Sequence, residues 1–326
     1  MLMPQVRSFL DRTRLLGVGD VCEGIPFVSD INLYIDSDGA LVIKCYGSMV
    51  GELPGRQGVH RRPLRSRHEL DVLLSSTRLL LDEDLPKGYE EYLDTAYRRL
   101  AGPESEIGHD GPMIDDIQVT STAAGCAWPK VYVNFEHVTG LDDEARIPLR
   151  LLLASRAVAP GRPATAVLDD IVRIGGTPSA VEHLAAHFRP DRDHLEAYCH
   201  VSMGLVLSAV EEAAALHGDP MPHVGMTRLS DRVGMPFRFE GRSIERDGSA
   251  EEAVITDYVQ FEEPLSAGEV AAILGVGEST ISEVYDRFGC PPRVQAVAGM
   301  KNLPDGTQSF GVCLTLMPED NDALMF

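Results

Sequence analysis

Residues 128–135 read Trp128-Pro129-Lys130-Val131-Tyr132-Val133-Asn134-Phe135, a β-rich run with a lysine and a tyrosine two apart. On a strand, residues two apart share one face of the sheet. The phrase, a variable residue, a spacer and a tyrosine, returns at Lys44-Cys45-Tyr46, Glu196-Ala197-Tyr198 and Thr256-Asp257-Tyr258. Copies at such long, similar intervals predict a repeated hairpin-plus-helix unit. If the repeats close into a barrel, the four faces line one lumen.

The surrounding sequence fits that unit. The run FVSDINLYIDSDGALVIKCYG is two strand-like stretches joined through Asp38-Gly39, a strong hairpin turn signal. IDDIQVTSTAAGCAWPKVYVNF is a second hairpin, MPFRFEGRSI with AVITDYVQF a third, and RVQAVAGMK with SFGVCLTLMP closes the chain. Between them lie segments of helical period: residues 4–17, HELDVLLSSTRLLLDED, GYEEYLDTAYRRL, IPLRLLLASRAV, ATAVLDDIVRIG, PSAVEHLAAHF and SAGEVAAIL with STISEVYDRF. Residues 193–217 read either as one long helix or as a short strand through Tyr198 followed by a helix, and the second fits the repeat. Hairpins imply antiparallel pairing, which excludes a doubly wound parallel sheet.

The chain has 326 residues, 24% charged and 44% hydrophobic, an ordinary globular composition large enough for a substantial core. No apolar run reaches membrane-spanning length, and the charged N-terminal stretch lacks a signal-peptide core. Six scattered cysteines without a CxxC pair read as reduced thiols of a cytoplasmic protein. A net charge of −21 argues against nucleic-acid and anionic-membrane partners. It leaves room for a small basic cavity, since net charge describes the outer field. Nothing in the pattern sets an oligomeric state.

In their order, these segments resemble the dimethylallyltryptophan synthase family of aromatic prenyltransferases. The resemblance is carried by GIPFVSDINLYIDSDGALVIKCYG, WPKVYVNF, AVITDYVQFEEPLSAGEVAAIL and RVQAVAGMKNLPDGTQSFGVCLTLMP, and covers most of the chain. It implies an α+β fold, an antiparallel β-barrel of repeated αββα units (the ABBA fold) surrounded by helices. Residues 1–326 would form one domain, with repeats at 1–65, 66–142, 143–203, 204–262 and 263–326. It further implies transfer of a dimethylallyl or geranyl group from its diphosphate to an indole or another electron-rich ring in secondary metabolism, with no metal or other cofactor. Lys44, Lys130, Arg238 and Arg293 become the candidate diphosphate ligands, with Gln295 and Lys301 as further donors. Tyr46, Tyr132, Tyr198 and Tyr258 become the cation shield, and Asp30 and Glu196 the candidate bases.

The chemistry explains the residue types. Ionising an allylic diphosphate leaves an anion that needs lysine, arginine and tyrosine donors. The carbocation needs aromatic faces and exclusion of water. Proton removal from the acceptor needs a base. The sequence also departs from the family: the third phrase carries Glu196 and the fourth Thr256 in place of a basic residue, and Val28 stands where the family has its acid. A second reading is therefore a repurposed barrel that binds or cyclises a small molecule without diphosphate.

A third reading is an acidic regulator, because LSAGEVAAILGVGESTISEVYDRFG has the outline of a helix-turn-helix. Glu278, Glu283 and Asp286 on its second helix, against Arg287 alone, would face phosphate with like charge. His183 and His187 in HLAAH would share a helix face, but lack the glutamate of HExxH. No metal ligand is assigned, and His109, His137 and His200 read as ordinary residues. No GxSxG elbow is present, and GVGES is too short for a phosphate loop.

Overall fold

The computed structural model describes residues 4–13, 27–35, 39–48, 50–51, 60–61, 64, 66–82, 84–100, 113–121, 127–134, 181–188, 193–199, 237–247, 254–302 and 308–316. Helix α1 (Pro4–Thr13) precedes the hairpin β1 (Phe27–Ile35) and β2 (Leu41–Ser48), whose turn needs Gly39 at φ 76°. Two short strands, β3 (Val50–Gly51) and β4 (His60–Arg61), pair with each other. Helices α2 (Arg67–Leu81) and α3 (Tyr89–Leu100) follow. The Ser66 hydroxyl caps α2 by accepting from the Glu69 amide, and Asp82 ends it in the left-handed region at φ 60°.

Next come β5 (Met113–Ser121), β6 (Ala127–Asn134), β7 (Val181–Phe188), β8 (Asp193–Cys199), β9 (Phe237–Asp247) and β10 (Val254–Phe261). The last segments are β11 (Leu265–Ser266), α4 (Ala267–Leu274), α5 (Glu278–Phe288), β12 (Arg293–Val294), β13 (Ala296–Asn302) and β14 (Gln308–Thr315).

Ten of these strands pair antiparallel in the order β1-β14-β13-β10-β9-β8-β7-β6-β5-β2, and the β1–β2 pairing closes the ring. Closure leaves the ten-stranded ring itself without a free edge. The strand alternation then sorts side chains into two compartments. Ile31, Leu33, Ile43, Cys45, Val119, Val259, Phe261, Ala298, Met300, Val312 and Leu314 face outward. They form one core with Phe9 and Leu10 of α1, Leu80 and Leu81 of α2, Ile273 of α4 and Ile281 and Phe288 of α5. Phe188 packs edge-on against Tyr89 and Tyr92 of α3, at 5.1 and 5.3 Å. On the inner face, Tyr132, Ala185, Tyr258, Val297 and Cys313 form a second, smaller cluster.

One segment read as helical is a strand. PSAVEHLAAHF supplies β7, paired with β6 on one side and β8 on the other. Its short apolar run suits either period, and the two flanking ladders decide between them. His183 and His187 therefore stand on a strand. Residues 193–199 are the strand β8, as expected for the shorter reading. The helical segments expected in IPLRLLLASRAV, ATAVLDDIVRIG and GLVLSAVEEAAALHG lie outside the described residues.

Residues 267–288 form two short helices, as a helix-turn-helix would. Ser266 and Glu269 make a reciprocal capping box at the start of α4, and Gly275 ends it at φ 70°. The apolar faces of both helices are spent on the barrel: Val270, Ile273 and Leu274 of α4 and Ile281, Val284, Tyr285 and Phe288 of α5 are buried. Arg287, the basic residue of α5, pairs with Asp11 and Glu283. The pair is thus a covering element, with Glu278 and Asp286 on α5 and little positive charge to offer DNA. Among the described residues, no helix is long and apolar enough to cross a membrane.

Candidate functional site

Lys130 is the most informative residue of the inner face. It is 1% exposed, on the same face as Tyr132, with its Nζ 4.4 Å from the centre of that tyrosine ring. A buried ammonium is costly unless aromatic faces and acceptors replace its hydration. The lysine–tyrosine phrase on β6 is therefore a cation held against an aromatic face inside the ring.

On β2 the phrase works differently. Lys44, half-buried, lies over Tyr34 of β1 at 4.9 Å from the ring centre. Tyr34 was not a sequence candidate, because its lysine comes from the neighbouring strand. The register places Tyr46 opposite Asp30 on one side and Gln118 on the other. Asp30 is 4% exposed and accepts a hydrogen bond from the Thr315 hydroxyl at 3.0 Å. It stands on the inner face, since its neighbour Ile31 belongs to the outer core.

Tyr258 completes the described tyrosines of this face. Its hydroxyl shares a 3.0 Å hydrogen bond with the buried Ser243 hydroxyl of β9. Beside it the register aligns Tyr34, Gly311, Gly299 and Tyr258 across four strands. A Cβ on Gly299 would lie 3.2 Å from Tyr258 Cε1, and one on Gly311 would lie 3.3 Å from Tyr34 Cβ. A larger residue would crowd the Tyr258 ring at Gly299, and Asn32 and the base of the Tyr34 side chain at Gly311.

Other candidates are placed by register. Arg238 pairs with Gln260, and Lys301 with Thr256, both positions on the inner face. Four registered inner-face positions are thus basic: Lys44, Lys130, Arg238 and Lys301. Along one rung, Lys130 pairs with His187, His187 with His194, and His194 with Asp247. Along the next, Tyr132 pairs with Ala185, Ala185 with Glu196, and Glu196 with Glu245. Tyr198 pairs with His183 and Ser243. His187 is 6% exposed and was not expected in the site; reading HLAAH as a helix concealed that it neighbours Lys130.

Arg293 is not part of this group. It lies in β12, outside the ring, where its guanidinium donates to the Pro264 carbonyl at 2.9 Å and pairs with Glu269. The Pro291-Pro292 turn delivers it to the α4 cap, and its side chain is 45% exposed. Gln295 likewise donates to the Phe261 carbonyl, at 2.7 Å. Glu269 is held below its ordinary pKa: burial raises it, but the Ser266 hydrogen bonds and Arg293 outweigh that.

Among the described residues, Cys45 and Cys290 are poor nucleophiles. Burial pushes the Cys45 thiol up to about 12, against a smaller opposite effect of Thr13, and burial does the same to Cys290. Among the residues whose side chains are described, no group of three or more His, Cys, Asp or Glu could hold a metal ion.

No family model and no curated protein matches this chain in sequence. Solved structures do match. The crystal structure of NotF in complex with brevianamide F and DMSPP superposes with a TM-score of 0.55 at 12% identity, over 90% of this chain and 81% of that one. A structure of NotF prenyltransferase gives 0.49 at 12% identity, over 89% and 81%. AnaPT from Neosartorya fischeri gives 0.49 at 13% identity, over 89% and 78%. The resemblance read from the sequence thus holds at the level of architecture: this divergent chain has the fold of the NotF prenyltransferase.

Proposed function

We propose that this chain is an aromatic prenyltransferase, moving a dimethylallyl or geranyl group from its diphosphate to an indole or another electron-rich ring. The observation that carries the reading is Lys130, buried on the inner face against Tyr132. The shared fold with NotF, whose structure holds brevianamide F and DMSPP, supports it. One domain of five αββα repeats, with covering helices completing the ring, accommodates the ten paired strands.

The roles follow from charge and position. Lys130 and Lys44, with Arg238 and Lys301, bind and neutralise the departing diphosphate. Tyr132, Tyr258 and Tyr34, joined by Tyr46 and Tyr198, shield the allylic cation from water. The acceptor ring attacks the cation, its carbon forming the new bond as diphosphate leaves. Asp30 on the inner face is the candidate base for the ring proton, with Glu196 as the other. The test is incubation with dimethylallyl diphosphate and a panel of indole and phenol acceptors, read by mass spectrometry and by diphosphate release. Prenylated acceptor with matching diphosphate release is expected; absence of both across the panel overturns the reading.

Glu196 favours one alternative, a barrel that binds or cyclises a small molecule without diphosphate, since it puts a carboxylate where the third phrase would need a lysine or arginine. Product formation without diphosphate release would select it.

A further inference from the structure

Strand β1 changes phase near its start. Val28 stands opposite Gly47 and Asp30 opposite Tyr46, so Ser29 is an extra residue, a β-bulge in the β1–β2 ladder. On an unbroken strand, residues three apart point to opposite faces. Val28 and Ile31 nevertheless both belong to the outer core, fully buried. The bulge therefore resets the alternation and turns Asp30 inward, where it is 4% exposed. The next inner rung along β1 pairs Asn32 with Lys44, the lysine that lies over Tyr34. Asp30 thus stands about 7 Å along the strand from the rung of a cation that the proposed function gives to the diphosphate.

A buried carboxylate is stable only when donors replace its hydration. One donor here is the Thr315 hydroxyl, 3.0 Å from Asp30 Oδ1. Threonine is stiff about its first side-chain torsion, and this one is braced from behind. Its backbone N–H donates to the Gln295 carbonyl at 2.9 Å, and the Gln295 side-chain amide donates to the Phe261 carbonyl at 2.7 Å. The brace ties the last residue of β14 to the start of β13 and the end of β10. The ladders themselves are made by backbone groups, so what the hydroxyl adds is the direction of the carboxylate.

We infer that Thr315 is a positioning residue for Asp30, aiming its carboxylate at the ring proton of the acceptor. The inference rests on the proposed prenyl transfer. In that reaction the electron pair of a ring carbon forms the new bond to the allylic carbon, and the bond from the allylic carbon to the diphosphate oxygen breaks. The attacked ring carbon then carries both the prenyl group and a hydrogen. Asp30 takes this hydrogen as a proton, the C–H electron pair restores the aromatic ring, and the protonated carboxyl returns its proton to water. Such a ring proton is strongly acidic, so the base needs direction more than strength. While the proton stays, the addition reverses and water captures the allylic cation, giving an allylic alcohol and a proton. A well-aimed carboxylate therefore couples each diphosphate released to one prenylated product.

The test uses the full chain with dimethylallyl diphosphate and the acceptor that gives most product. Prenylated acceptor, allylic alcohol and diphosphate are measured in one reaction, which is repeated with the acceptor deuterated at the attacked carbon. The native chain is expected to release product and diphosphate in equal amounts. Thr315→Val, which keeps the shape and removes the hydroxyl, should lower kcat for product ~10-fold, since a hydrogen bond to a charged group is lost. KM for the allylic diphosphate should stay within ~2-fold, the deuterium isotope effect on kcat should rise, and allylic alcohol should make up the missing product. Thr315→Ser should restore the coupling. Thr77→Val, which removes a buried hydroxyl of α2 outside the ring, should lower stability and leave the coupling unchanged. If Thr315→Val does not fold, Thr315→Ala and Asp30→Asn carry the test: each is expected to uncouple, and either one remaining fully coupled overturns the inference. So does Thr315→Val with the native coupling and isotope effect, or Thr315→Ser with the same loss as Thr315→Val. A fully coupled native chain with unaffected variants sinks this inference alone. Absence of both product and diphosphate release in the native chain sinks it together with prenyl transfer.

Discussion

Strands β6 and β8 carry the same phrase two strands apart and give it opposite charge. On β6, Lys130 is buried over the Tyr132 ring. On β8, Glu196 takes the lysine's place two residues before Tyr198, and registers with a second glutamate, Glu245. The same face of the same closed sheet thus carries a buried cation at one register position and a pair of glutamates at another. A repeated architecture thus repeats where a side chain stands without repeating its charge. Charge must be read strand by strand.

The most severe break of this contrast is Lys130→Glu, which gives β6 the sign of β8. Removing a buried charge costs about 3–5 kcal/mol and reversing it costs more. Expected is loss of allylic thiodiphosphate affinity by more than ~100-fold, read by calorimetry, with the fold checked by circular dichroism. The reciprocal change, Glu196→Lys, should raise thiodiphosphate affinity about 10-fold in chelator, corresponding to ~1.4 kcal/mol. Equal affinities in both variants would mean that the two walls do not differ in function.

Two changes on the far wall calibrate these effects. Gly299→Val would crowd Tyr258, whose ring would lie 3.2 Å from the new Cβ. Overpacking of this kind costs about 1–3 kcal/mol, measured as a lower denaturation midpoint. Tyr258→Phe removes the 3.0 Å hydrogen bond to Ser243 and should cost about 1 kcal/mol. The smallest effect lies outside the barrel. Glu269 is depressed below its ordinary value of 4.5 by the Ser266 cap and Arg293, which outweigh burial. Its stabilisation is present above pH 4.5 and is lost as pH falls through the depressed value. Glu269→Gln should flatten that part of the acid-unfolding curve.

Much of this was legible in the sequence where local chemistry decides structure. Asp38-Gly39 marked the first hairpin, and Ser266-x-x-Glu269 marked the start of α4. Lys130 and Tyr132 were visible as partners because they share one strand. What the sequence hid depends on pairing between strands. Tyr34 meets Lys44 across β1 and β2, and His187 neighbours Lys130 only once β7 is known to be a strand. VEHLAAHF suits a helix as readily as a strand, and the ladders on both sides overrule its local preference. Arg293 stands apart from the inner-face group for the opposite reason. Its neighbours in sequence are inner strands, but β12 lies outside the ring and binds its guanidinium to the α4 cap.

Prenyl transfer by this chain requires the inner face to bind a diphosphate through Lys130. The most direct measurement is calorimetric titration of a non-hydrolysable dimethylallyl thiodiphosphate into the native chain and into Lys130→Ala, with chelator present. Micromolar binding to the native chain, lost in Lys130→Ala, is the expected result. No binding to the native chain, or equal binding to both proteins, would contradict it.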